Sequence, residues 1–292
     1  MAIIVKLQGG LGNQMFQYAL GRSLSLKKKV PLLLDIGSFS RDPLRAYALG
    51  CFSLKAEFAS PSDVERLARY QRLPDGIVSR ARNALCARWD RYAREKRFHF
   101  DPDVFSVADD AYLDGYWNTE KYFKDIRPAL LSDFRVAAPL AGKNAEAAQA
   151  ARSAESVSVH VRRGDYAHNP QTNIVHGTLE ADYYGPAIAR MQEKLAAPRF
   201  FVFSDDIPWV RDNLSLPAGT IFVDWNGKEA HEDLRLMSLC KHHIIANSTF
   251  SWWGAWLSEY PGKVVIAPAR WFRTQKKSTD TRDVLPESWI RI

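Results

Sequence analysis

The chain has 292 residues, 46% hydrophobic and 25% charged, with a net charge of +7. That length favours two domains over one core, and the composition is that of a soluble globular protein without an apolar run of membrane-span length. The positive balance favours anionic partners. The short clusters Lys27-Lys28-Lys29 and Lys276-Lys277 come without an RNP-like or helix-turn-helix pattern, which argues against sequence-specific nucleic-acid binding.

The N-terminus, Met1 to Lys6, has no basic stretch followed by a long apolar one, so no signal peptide is expected. Cys51, Cys86 and Cys240 form no CxxC pair and read as reduced thiols of a cytoplasmic protein rather than a disulfide frame or zinc site. Ile3, Ile4, Val5 and Leu7 predict a buried parallel strand. Gly9-Gly10-Leu11-Gly12-Asn13-Gln14 comes next as a tight loop. Leu11, Met15, Phe16, Ala19, Leu20 and Leu24 then recur on one helical face. Strand, glycine loop and helix in that order bring backbone N–H groups to a helix start, which suits an anion. Val30-Pro31-Leu32-Leu33-Leu34 predicts a second strand, closed by Asp35. Glycines after one strand and an acid ending the next invite a dinucleotide-binding reading. The fingerprint is broken, because its third glycine position is Met15.

Ser62, Val64, Leu67 and Tyr70 suggest a helix, with Ser62 and Glu65 as a capping box. Arg80 to Arg97 is strongly basic and reads as a solvated helix face that could also meet a membrane. Asp101-Pro102-Asp103 has the form of a metal-binding DxD, but Pro102 favours a turn there. Tyr112 to Trp117 predicts a strand, and Asn118 or Thr119 can cap the next helix. From Ala137 to Ser156 the residues turn small and polar, which places the domain junction there, with room for an alanine-rich helix.

The second half alternates strands and helices. Strands are predicted at 156–161, 199–203, 220–223, 243–246 and 263–266. Helices are predicted at 179–194, at 233–240 and from Trp252. This rhythm predicts a parallel sheet with helices on both faces. Three polar clusters fall at strand C-termini: His160 to Asp165, Ser204 to Asp206, and Asn247 to Ser251. Ligands of open α/β sheets bind at that edge. Arg162 and Arg163, with His160 two residues before, suit a phosphate group. Ser248, Thr249 and Ser251, at a helix start, suit phosphate oxygens. Asp205 or Asp206 can accept a pair of hydrogen bonds from guanine, or can simply cap a helix. Trp252 and Trp253 read as core.

Five segments together resemble the bacterial α-1,2-fucosyltransferases of glycosyltransferase family 11. They are Gly9 to Tyr18, Leu113 to Trp117, His160 to Asp165, Phe203 to Asp206 and Asn247 to Gly254, in order along most of the chain. The resemblance implies an α/β, GT-B-like fold of two Rossmann-like domains facing a cleft. The expected domains are 1–145 on the acceptor side, 146–270 for the GDP-sugar, and a tail, 271–292, packing back on the first domain. It implies GDP-L-fucose as donor, inversion at the anomeric carbon, no metal or other cofactor, and a glycan acceptor, usually the O2 hydroxyl of a terminal galactose in a surface glycan such as O-antigen. It implies that Arg162 offsets charge on the leaving β-phosphate. His160 and Asp205 or Asp206 would hold guanine, and Arg163, Asn247, Ser248, Thr249 and Ser251 would help hold the donor. Gly12, Asn13 and Gln14 would close over it from the first domain. Asp165, on the same turn as Arg162, is the candidate base, with pairing to Arg163 as its alternative role. The expected location is cytoplasmic, peripheral to an acidic membrane face.

Two rival classes stay open on the sequence. One is an NAD(P)-dependent oxidoreductase, resting on Gly10, Gly12 and Asp35. The other is a non-catalytic glycan-binding protein, resting on charge and aromatics.

Overall fold

A computed structural model of the chain describes residues 1–69, 89–274 and 280–292. Cys86, Tyr70, Lys276 and Lys277 lie outside these residues, as does the first half of the basic stretch from Arg80. The chain forms two compact units, one of 1–135 with 282–284, the other of 136–281 with 285–292.

The first unit is built on a parallel sheet in the order β3-β2-β1-β5-β4. Its strands are β1 (Ile3–Lys6), β2 (Leu32–Asp35), β3 (Glu57–Phe58), β4 (Tyr92–Arg94) and β5 (Ala111–Asp114). Ile3, Ile4 and Val5 are wholly buried, as expected of a central parallel strand covered on both faces. Helix α1 (Leu11–Lys28) returns along the sheet from the glycine loop. It packs so closely that a Cβ on Gly21 would lie 2.3 Å from Val5 and 2.7 Å from Leu32, so only glycine fits. Lys29 closes α1 in the left-handed region at φ 55°, and Lys27 and Lys28 in the last turn complement the helix dipole.

Helix α2 (Pro61–Ala68) carries a capping box, but on Ser60 and Asp63 rather than Ser62 and Glu65. Proline at the first helical position fixes the cap one residue earlier, at Ser60. The described part of the basic stretch is no helix face. Tyr92–Arg94 pairs in parallel with Tyr112–Asp114, and the Tyr92 and Tyr112 rings stack at 5.2 Å. Asp101 accepts from the Asp103 N–H and caps a short 3-10 turn, so that motif is the expected turn. Thr119 caps another, accepting from the Lys121 N–H. Helix α3 (Arg127–Asp133) completes the unit, and Asp283 joins it by accepting from Lys121 Nζ at 2.6 Å.

The second unit starts with the alanine-rich helix α4 (Gly142–Ser153). Its sheet comprises β6 (Ser156–Val161), β7 (Arg199–Ser204), β8 (Ile221–Val223), β9 (His242–Ile244), β10 (Val265–Ala267) and β11 (Ile290–Arg291). All pairings are parallel, in the order β11-β10-β9-β6-β7-β8. Counted from β6, that is the 3-2-1-4-5-6 order of a dinucleotide fold, with its switch point between β6 and β9. Between β6 and β7 lie α5 (Gly164–His168), α6 (Pro170–His176) and α7 (Ala181–Lys194). Helix α8 (Ile207–Asn213) follows β7, α9 (Ala230–Leu239) follows β8 and α10 (Thr249–Leu257) follows β9. Val157, Val159 and Val161 face α7 and α8, and Phe201 and Phe203 face α4 and α9. Trp252 and Trp253 are fully buried and pack edge to face, as core residues should.

Candidate active site

The second unit gathers its polar clusters at the C-terminal edge of the sheet. Register pairs Val161 with Ser204, so Arg162 and Asp205 emerge side by side from β6 and β7. Arg162 Nη1 donates to Asp205 Oδ2 at 2.6 Å, and the Arg163 backbone N–H donates to Asp205 Oδ1 at 2.8 Å. One carboxylate thus fixes both the arginine side chain and the turn that carries it. Gly164 opens α5 against that carboxylate, and a Cβ there would lie 2.5 Å from Asp205 Oδ2.

Arg163 is held separately. Its Nη1 donates to both Glu180 oxygens, at 3.0 and 2.9 Å, its guanidinium lies 3.9 Å from the Trp209 ring centre, and Asp206 Oδ2 is 3.6 Å from its Nε. Asp206 also accepts from the Trp209 N–H at 3.1 Å and caps α8. The helix-cap reading thus falls to Asp206, while Asp205 is paired with Arg162. Asp165 lies in the first turn of α5, and its side chain lies outside the described set.

His160, the penultimate residue of β6, is 6% exposed, its Nδ1 without a partner among the described residues and its ring centre 5.5 Å from that of Phe250. Burial pushes the imidazole down to about 4 against the upward pull of Asp205, and Arg162 reinforces the fall, so the ring is neutral at pH 7. Ser248 caps α10 by accepting from the Phe250 N–H at 3.3 Å, Thr249 is its first helical residue and half-buried, and Ser251 Oγ donates to the Ser248 carbonyl. The N–H groups at such a start lack intrahelical acceptors and, apart from that of Phe250, which Ser248 takes, can point along the axis toward an anion. Asn247 is buried, and its Nδ2 donates to the carbonyls of His176, Gly177 and Trp271. It ties three loop segments together at the end of β9.

In the first unit, Asn13 lies over Gly9 in the first turn of α1, which Gly12 enters as a buried residue. Gln14 is 0% exposed; its Nε2 donates to the Gly9 and Ala46 carbonyls and its Oε1 accepts from the Ala48 N–H. It is thus built into the loop as a backbone brace, not held out as a ligand group. Asp35 accepts from the Tyr112 hydroxyl at 2.6 Å and from the Gly37 N–H at 2.8 Å, and Met15 is core. Glu180 and Trp209 are the residues that sequence reasoning missed. Among the described residues no group of three or more His, Cys, Asp or Glu is placed to hold a metal. No helix among them is long and apolar enough to cross a membrane.

Two parallel Rossmann-like sheets, with an arginine turn and a helix start at the switch point of the second, define a GT-B-like glycosyltransferase. The chain belongs to glycosyl transferase family 11, whose profile matches residues 90–292. It is 34% identical to an Alpha-1,2-colitosyltransferase of Escherichia coli, over 99% of this chain and 98% of that one. It is 32% identical to the O-antigen biosynthesis glycosyltransferase WbnK of Escherichia coli, over 98% of this chain and 99% of that one. It is 26% identical to Galactoside alpha-(1,2)-fucosyltransferase 2 of Bos taurus, over 86% of this chain and 67% of that one. A mutant of Arabidopsis thaliana FUT1 in complex with GDP shares the fold, with TM-score 0.53 and 12% identity over 97% of this chain and 73% of that one. Family membership sets aside the oxidoreductase reading, whose acid, Asp35, is already bonded within the first unit.

Proposed function

We propose that the chain transfers L-fucose from GDP-L-fucose to a glycan hydroxyl, O2 of a terminal galactose in a surface glycan such as O-antigen, with inversion. The observation that carries this reading is the Arg162–Asp205 pair at the switch point, beside the start of α10. The acceptor oxygen attacks the anomeric carbon as the bond to the β-phosphate oxygen breaks. GDP leaves with the electron pair, and the acceptor proton passes to a base, for which Asp165 is the candidate. Negative charge grows on the leaving phosphate, and a guanidinium already oriented by Asp205 meets it without reorganisation. The N–H groups of Thr249 and its neighbours take phosphate oxygens. His160, neutral and with a spare ring nitrogen, offers a hydrogen bond to the guanine of the donor. No metal is needed where arginine supplies the charge. The net charge of +7 and the O-antigen relative support a cytoplasmic enzyme peripheral to an acidic membrane face.

Calorimetry with GDP, UDP and NADH tests the donor half of the reading. GDP should bind well, UDP weakly and NADH not at all; NADH binding as tight as GDP would overturn it. Because one relative is named for colitose, the sugar panel includes nucleotide-linked colitose beside fucose.

A further inference from the structure

The second unit holds a cavity of about 800 Å3 outside the C-terminal ends of β9 and β10. Residues 176–180 and the first turns of α7 form one wall, Asn247, 268–270, Phe272 and Arg273 the other. Its size is that of a small-molecule site. Tyr183 and Phe272, both 8% exposed, give it apolar surface. Charges of both signs line it: Glu180 and Asp182 against Arg270 and Arg273. Glu180 is engaged with Arg163, and Arg273 Nη1 donates to Asn173. Asp182 and Arg270 are exposed, and neither side chain has a hydrogen bond or ion pair among the described residues. Asn247, 2% exposed at the edge, keeps an Oδ1 without a partner there.

This lining suits one ligand chemistry. Carboxylates beside the opening disfavour a polyanion, and the charges disfavour a lipid chain. A neutral hydroxyl both donates and accepts, so a ring of hydroxyls can use a free carboxylate and a free guanidinium together. Its C–H face can rest on aromatic surface. The cavity is also coupled to the arginine turn. Arg162 lies 5.6 Å from the Tyr166 ring centre, Tyr166 stacks on His176 at 4.7 Å, and His176 meets Phe272 at 5.2 Å. We propose that this cavity is a hexopyranose subsite in which Asp182 and Arg270 hold the hydroxyls of a neutral sugar ring.

The inference deepens the proposed transferase reading, and the sugar can come from the donor or from the acceptor. Asp182→Asn and Arg270→Ala separate these sources, since both residues are exposed and neither is assigned to the phosphate site. The expected result is about a 10-fold rise in one KM, for GDP-L-fucose if the donor's fucose sits here, for lactose if the acceptor does. The GDP Kd and the melting temperature stay unchanged. If neither KM moves, or if GDP weakens in step with the sugar, the subsite is refuted. Saturation-transfer NMR of methyl β-D-galactoside and L-fucose decides the matter independently of activity. The parent should transfer saturation to one of them and Arg270→Ala should lose it; no signal on the parent, or equal signals, would refute the subsite. Failure of the parent to bind GDP would count against the transferase reading alone.

Discussion

Replacing Gly164 by alanine probes the site through a single methyl group. Gly164 opens α5 and is not in the left-handed region, so alanine is acceptable to the backbone, and helix propensity favours it by up to about 1 kcal/mol. The new Cβ would lie 2.5 Å from Asp205 Oδ2, the oxygen that takes Arg162 at 2.6 Å. Ordinary contact needs about 1 Å more, and retreat by that much takes the ion pair beyond hydrogen-bond range. Both side chains are 27% exposed, so the pair is worth about 1 kcal/mol to stability, which the helix gain offsets. Catalysis has no such offset, because a displacement of about 1 Å in a reacting group can cost about 100-fold. Urea unfolding should therefore shift by less than about 1 kcal/mol while kcat for fucose transfer falls at least 10-fold. A kcat within twofold of the parent would refute the claim that Asp205 sets the position of Arg162.

Arg162→Ala should lower kcat about 100-fold or more in a folded protein, and Arg162→Lys should also be impaired because an ammonium lacks the guanidinium fork; a normal kcat in either would contradict the assigned role. His160 binds its proton less readily when folded, down to about 4 from 6.5, so the unfolded chain takes up more protons between those values. Stability is then fully present above pH 6.5 and falls by about 3 kcal/mol toward pH 4, a slope that His160→Asn should reduce in urea titrations at several pH values. Asp206→Ala should cost about 1 kcal/mol as a lost helix cap and leave GDP binding within about threefold of the parent; a large GDP loss by calorimetry would return the guanine contact to Asp206.

The central strands were legible because burial on both faces writes itself as apolar runs, as in Ile3–Val5 and Phe200–Phe203. Edge strands have no such constraint. Glu57 and Phe58 are both exposed in β3, and the Tyr92–Arg94 strand hides in a basic stretch because only Tyr92 has a stacking partner to reveal it. The arginine turn and the α10 start were readable as local chemistry at strand ends. The contacts that fix them were not. Glu180 reaches Arg163 from 17 residues away, and Gln14 finds its partners 32 and 34 residues downstream. Asp205 and Asp206 look alike in sequence, and only the register of β6 on β7 assigns one to Arg162.

Incubation with GDP-L-fucose and a β-galactoside in the presence of EDTA, read out by product NMR, tests the central claim most directly, since one spectrum reports sugar, linkage and anomer. The expected product carries α-L-fucose on O2 of galactose, forms at the same rate with or without EDTA, and is nearly absent with Arg162→Ala. No transfer by the parent, retention of the donor's β configuration, or activity that returns only on adding Mn²⁺ or Mg²⁺ would contradict it.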